Sequence, residues 1–166
     1  MSIIPSADSP VSSYGCERFG RLKTALVHTP RISLERITGE NRAQLLFDRV
    51  PDPYAYEQEH LKWRELLETN GVKIHEIADY ISTNRTLMHS LPNLTFLHDV
   101  AVVTSRGAIL SRMAWQGRRN ESIVVKEALA NLGIPIYHEF TDENDAFEGC
   151  LLIFPDTILV ANTERH

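Results

Sequence analysis

The sequence predicts an α/β fold assembled from repeated strand–helix–strand units, and three observations predict it. A β-type run, a helix, a glycine and a second β-type run follow one another between residues 22 and 77. The same order returns over about 98–140, now opened by a hairpin, and a further hairpin starts near residue 147. Strands that alternate with helices in this way pack with the strands on one side and the helices on the other.

Residues 1–20 are rich in Ser and Pro and carry no period, so they read as a flexible arm, disordered or laid over a neighbour. "LKTALVH" (Leu22 to His28) is a β-type run stopped by Thr29-Pro30. "NRAQLLFDRV" (Asn41 to Val50) reads as a short helix ended before Pro51. Asp52-Pro53 opens a longer helix, with proline suited to the first turn, running to about Asn70 and closed by Gly71 as a left-handed cap. "VKIHEI" then alternates with period two, a strand with one wet face.

In the next unit "DVAVV" and "GAILSRM" flank the turn Ser105-Arg106-Gly107. A helix from about Gly117 to Asn131 sets Val124, Val125, Ala128, Leu129 and Leu132 on one face, with Gly133 as its cap, and "IPIYHEF" is the strand that follows. "FEGCLLIFPDTILVANTERH" supplies a hairpin turning at Pro155-Asp156. The expected architecture is therefore two complete β–β–α–β units and the front half of a third. A hairpin left open there exposes unpaired backbone and an apolar face, which predicts a homo-oligomer or a complementary C-terminal chain.

Composition narrows the function. Hydrophobic residues at 43% and charged ones at 23% are globular values for one domain of ordinary size. The net charge of −5, with 17 scattered basic residues, argues against nucleic acid. No apolar stretch approaches the ~20 residues of a membrane span, and no signal-peptide pattern opens the chain. Two cysteines, Cys16 and Cys150, make no disulfide framework, so a cytoplasmic compartment is expected. The seven histidines include no pair at i,i+4 spacing, and phosphate-loop, dinucleotide and nucleophile-elbow motifs are missing. Neither a metal nor a cofactor is expected.

What remains is a pair of carboxylates at the mouths of strands. Asp99 precedes one apolar run and Glu148 another, at matching places in successive units. Two carboxylates converging on a pocket suit a planar cation with a fork of N–H donors, a guanidinium. The competing reading makes each a turn or cap residue, where Asp and Glu are common.

Several segments carry a family resemblance. "LVHTP…LERITGENRAQLLFDRVPDPYAYEQEHLKWRELLETNGVKI" resembles the N-terminal signature of arginine deiminase, in the guanidino-group-modifying superfamily of pentein fold. "PNLTFLHD", "SRMAWQGRRNE", "FEGC" and "NTERH" are similar to further segments of that family, in the same order, over about 21–166. The resemblance implies an incomplete pentein domain, a partial α/β propeller of about two and a half ββαβ repeats (about 21–97, 98–140 and 147–166). It also implies chemistry on a guanidino substrate such as arginine: a cysteine thiolate attacks the guanidinium carbon, and water (deiminase) or an amine (amidinotransferase) resolves the adduct.

Carried over by position, Asp99 and Glu148 hold the guanidinium, Asn93 and Phe96 line the pocket, and Arg118 and Arg165 reach the substrate carboxylate, with Arg119 competing for the part of Arg118. The family's nucleophilic cysteine and general-base histidine fall in later repeats, so the chain alone is expected to be inactive. Cys150, two residues past Glu148, would share a face with an anion that raises its pKa, and is expected to be a packing residue. Cys16, His98 and His166 are expected to be non-catalytic, His98 because neighbours on a strand point to opposite faces. "NRAQLLFDRVP" is expected either to cover the site or to pack as a helix on the first unit. Three outcomes are open: a subunit activated by a second polypeptide, a non-catalytic self-associating module, or a remnant without a ligand.

Overall fold

A computed structural model describes residues 14–15, 20–142, 146–148, 151–154 and 157–160. The first unit joins strand β1 (Thr24–Val27) to strand β2 (Lys73–Glu76) in parallel through a short helix α1 (Arg31–Leu34) and the long helix α2 (Pro53–Thr69). Helix α2 begins where the sequence predicts. The Asp52 carboxylate accepts the N–H groups of Tyr54 and Ala55 at 2.9 and 3.0 Å, satisfying two donors that no carbonyl of the first turn can reach. It ends at Gly71, whose φ of 81° lets Val72 N–H turn back to the Leu67 carbonyl.

A linking stretch of short turns follows, including α3 (Arg85–Met88) and the single helical turn α4 (Leu97–Val100). Strands β3 (Ala101–Thr104) and β4 (Gly107–Leu110) form the expected hairpin. Helix α5 (Glu121–Asn131) crosses over to β5 (Ile136–Glu139), which lies parallel to β4. Gly133, at φ 76°, stops α5 as Gly71 stops α2, with Ile134 N–H bonded to the Leu129 carbonyl. Strands β6 (Leu151–Ile153) and β7 (Ile158–Val160) pair antiparallel as a third, separate sheet. The result is a mixed α/β fold with sheets of two, three and two strands.

The main core lies between α5, the linking stretch and the β3–β4–β5 sheet. Ile77, Met88, Leu94, Val100, Leu110, Met113 and Val124 are sealed within it. Val124, Val125, Ala128 and Leu129 of α5 are all buried, as the one-faced pattern predicts, whereas α2 has no buried residue and leaves Tyr54, Trp63 and Leu66 exposed. A smaller core of Val102, Phe147 and Leu151 ties the third unit to the second, assisted by Phe147 N–H bonding the Arg112 carbonyl at 3.0 Å.

Three expectations are corrected. Asn41 to Val50 is not a helix but a series of turns. Leu46 takes a left-handed φ of 63°, and Phe47 N–H closes back on the Arg42 carbonyl at 2.8 Å, a helix-stop geometry that ends the first turn as soon as it forms. Among the described residues the first unit has one strand before its helix rather than a hairpin, so it is β–α–β and only the second is β–β–α–β. Asp99 and His98 lie on the helical turn α4, not on a strand; β3 starts two residues past Asp99, at Ala101, because Asp99 N–H bonds the Phe96 carbonyl and winds the chain first. The predicted arm, residues 1–20, lies mostly outside the described residues, as does the turn at Pro155-Asp156.

Candidate functional site

The turn α4 carries Asp99 to the wall of a cavity of about 640 Å³. The cavity is framed by Leu26 and Val27 of β1, His60 and Trp63 of α2, Phe96 and His98 beside Asp99, and Leu151 and Leu152 of β6. All three units therefore contribute to it. Its surroundings are largely apolar, which strengthens any charge interaction made at Asp99.

Arg118 stands behind Asp99. Its Nη1 donates to Asp99 Oδ2 at 2.8 Å, while its Nε and Nη2 fork onto the carboxylate of Glu121 at 2.9–3.1 Å. The Arg118 and Glu121 side chains are only 5% and 1% exposed, whereas Asp99 keeps 27%. The Phe96 ring lies 6.0 Å from the Arg118 guanidinium carbon, within cation–π range. The turn Gln116–Arg118 immediately precedes α5, so Arg118 and Glu121 meet across an i,i+3 spacing at the helix start. Burial lowers the affinity of Arg118 for its proton, but the two carboxylates more than offset this and keep the cation firmly charged. Burial pushes the Glu121 carboxyl up to about 7 against the pull of Arg118, and the nearby charges of Asp99 and Glu148 add to the rise.

Glu148 is 1% exposed and accepts the Ala114 N–H at 3.0 Å. It is held by the segment that follows β4, close enough to Glu121 for its charge to act there, but unlike Asp99 it is not among the residues that frame the cavity. Asn93 is buried and donates through Nδ2 to the Leu45 carbonyl at 2.7 Å; Trp115 Nε1 likewise holds the Gln44 carbonyl at 2.7 Å. These two bonds pin the turns of 41–46 against the site-bearing segments. Of the two adjacent arginines, Arg118 meets Asp99 and Glu121, and Arg119 is exposed. His98 is exposed at the cavity rim. Arg165, Cys16, Cys150 and His166 lie outside the described residues. Among the described residues no cluster of three or more His, Cys, Asp or Glu could hold a metal ion.

Two features escaped the sequence reading. Glu121 could have been found from its i,i+3 spacing to Arg118. The other is a network in the first unit around Glu76. Its carboxylate accepts Thr29 N–H at 3.1 Å, the Thr29 hydroxyl at 2.7 Å and Arg64 Nη1 at 3.0 Å, and lies 3.6 Å from Nδ1 of the buried His28. Burial alone would raise its pKa; the contacts with His28 and Thr29 outweigh that and hold it below the usual carboxylate range. Strand pairing brings Val27 opposite Glu76, a contact between residues 49 positions apart that no local spacing announces.

The family model described as "Arginine deiminase" matches residues 78–160, half of the chain. The chain is 43% identical over 63 residues to the arginine deiminase of Borrelia recurrentis and 35% identical over 63 residues to that of Mycobacterium marinum. Each match takes in 38% of this chain, and 15% and 16% of those proteins respectively. Among solved structures it is similar to a dimethylarginine dimethylaminohydrolase bearing an adduct with 4-chloro-2-hydroxymethylpyridine. It is also similar to a mutant of that enzyme from Pseudomonas aeruginosa complexed with citrulline. In both cases the TM-score is 0.61 at 21% identity, covering 87% of this chain and 51% of the other. The chain thus spans about half the length of these structures, and the likeness to them concerns the fold. With the family model matched over residues 78–160, half of its length, the chain belongs to the arginine deiminase family.

Proposed function

We propose that this chain is the guanidinium-holding part of an arginine-deiminase-like protein, about two and a half repeats of a pentein propeller. One observation carries the reading: Asp99, at the wall of a largely apolar cavity, already grips a guanidinium, that of Arg118, at 2.8 Å. The side chain therefore has the reach and charge to grip another. Glu148, buried behind the cavity wall where its charge acts on Glu121, is the second acid of this reading, and Phe96 offers a ring face at the wall itself. Two acids around one trigonal carbon keep a guanidino substrate cationic and fix its plane for attack. This reading gives Asp99 and Glu148 the holding of the substrate and assigns the attacking thiolate and the base to none of the described residues; water completes the reaction in a deiminase and an amine in an amidinotransferase. Arg165 is the residue proposed to meet a substrate carboxylate. A cytoplasmic location is part of the same proposal; no helix among the described residues is long and apolar enough to cross a membrane.

Calorimetric titration of arginine tests the reading. Asp99→Asn and Glu148→Gln are each expected to weaken binding by roughly tenfold or more, the scale of a lost charge-assisted hydrogen bond. Heats equal to wild type in both variants would remove the site. Mixing the chain with a separately expressed C-terminal half should produce citrulline or ornithine from arginine; a folded, inactive complex would count against the catalytic part. The second reading, a non-catalytic self-associating module, draws on the exposed Tyr54, Trp63 and Leu66 of α2 and Leu159 and Val160 of β7. It predicts an oligomer by light scattering and no turnover in any mixture.

A further inference from the structure

We propose that Glu121 is a positioning residue: acting through Arg118, it sets the orientation and the net charge of the Asp99 carboxylate without touching the ligand. The inference rests on the reading above that Asp99 meets the guanidino ligand, and it gives Arg118 a different part from the one the resemblance implies. Arg118 is not among the residues that frame the cavity, whereas Asp99 is. Its Nε and Nη2 are committed to Glu121, which leaves Nη1 to hold Asp99 Oδ2. To swing toward a ligand's carboxylate, Arg118 would have to abandon a buried partner, and breaking such a pair is strongly unfavourable. The guanidinium is a fixed strut between two acids.

Charge sharing gives the strut its effect. With Glu121 ionised, the one cation is divided between two carboxylates, and Asp99 keeps negative charge for a ligand. With Glu121 protonated, Arg118 neutralises Asp99 instead, and a cationic ligand loses its partner. The charged groups facing Glu121 are Arg118 on the turn before α5, Asp99 on α4 and Glu148 on the segment leading to β6. Arg118 favours its ionisation, whereas Asp99 and Glu148 resist it. Guanidine binding should therefore weaken on acidification through the Glu121 midpoint of about 7.

The test is calorimetric titration of methylguanidine, which has no carboxylate to complicate the readout, into the full chain. Wild type, Asp99→Asn and Glu121→Gln are compared roughly one unit above and one unit below that midpoint, with thermal melts alongside. Glu121→Gln should remain folded at both pH values yet bind roughly tenfold more weakly at the higher pH, the low end of what losing an outer-sphere partner of a charged site costs. The gap should close at the lower pH, where wild type is itself protonated. Any pH dependence that Glu121→Gln retains belongs to other groups at the cavity, where His60 and His98 stand. Wild-type affinity in a folded Glu121→Gln overturns the positioning role while leaving the Asp99 reading intact. Absence of Asp99-dependent binding in wild type overturns both. Should Glu121→Gln fail to fold, Arg118→Lys decides: it retains the charge without the fork, and unchanged affinity in that variant overturns the strut.

Discussion

The first and second units each sequester a glutamate against an arginine, and the two acids are driven in opposite directions. Glu76 receives two donors from Thr29 and one from Arg64, with His28 alongside, and sits below the usual carboxylate range. Among the described residues Glu121 receives side-chain donors from Arg118 alone; it shares that cation with Asp99, feels Glu148 as well, and is pushed up to about 7. The difference is one of donor supply against burial. A buried acid with donors to spare is a lock between β1, α2 and β2; one short of them, among other acids, is poised to exchange protons near neutrality.

The largest expected effect breaks the lock. Glu76→Ala leaves Arg64 without its carboxylate and the Thr29 N–H and hydroxyl without their acceptor, and should cost about 3 kcal/mol at neutral pH, read by denaturant unfolding. A loss below about 1 kcal/mol would place Glu76 with ordinary surface acids.

The next effect sharpens the contrast through its sign. Because Glu76 has a depressed folded pKa, its contribution is present above the unfolded value of 4.5 and disappears as pH falls. Glu121 has a raised one, so its contribution is full below 4.5 and is lost as pH rises through about 7. Relative to Glu76→Gln, wild type should gain stability from acid to neutral pH; relative to Glu121→Gln it should lose on the order of 2 kcal/mol. Parallel slopes would erase the distinction.

The smallest effect isolates donors from burial. Glu127, near the surface, accepts N–H groups from Ser82, Thr83 and Asn84 and the Asn84 amide. Those bonds outweigh its slight burial and hold it at about 2. Solvent screening limits what they contribute, and Glu127→Ala should cost about 1 kcal/mol. A cost equal to that of Glu76→Ala would show that burial adds nothing to the lock.

Much of the fold is legible in local chemistry. Asp52-Pro53 and Gly71 bracket α2, Gly133 stops α5, and the one-faced apolar pattern of α5 marks the side it buries. These features act within a turn of their own residues, so spacing reveals them. The reading failed at Asn41 to Val50, where an apolar, helix-compatible run is held as turns by Asn93 and Trp115, which lie some fifty and seventy positions away. It failed again at α4, where His98 and Asp99, read as the start of a strand, sit on a helical turn, although Asp99 and Glu148 do stand just before β3 and β6.

The sequence by itself determined the order of strands and helices, the family, and the acids available to meet a guanidinium. Only the tertiary structure decided that Arg118 lies buried between Asp99 and Glu121, and that Glu76 joins His28, Thr29 and Arg64. The reason is physical: propensity and capping are settled by neighbours in the chain, whereas the charge state of a buried acid depends on which distant donors reach it and how much water is removed.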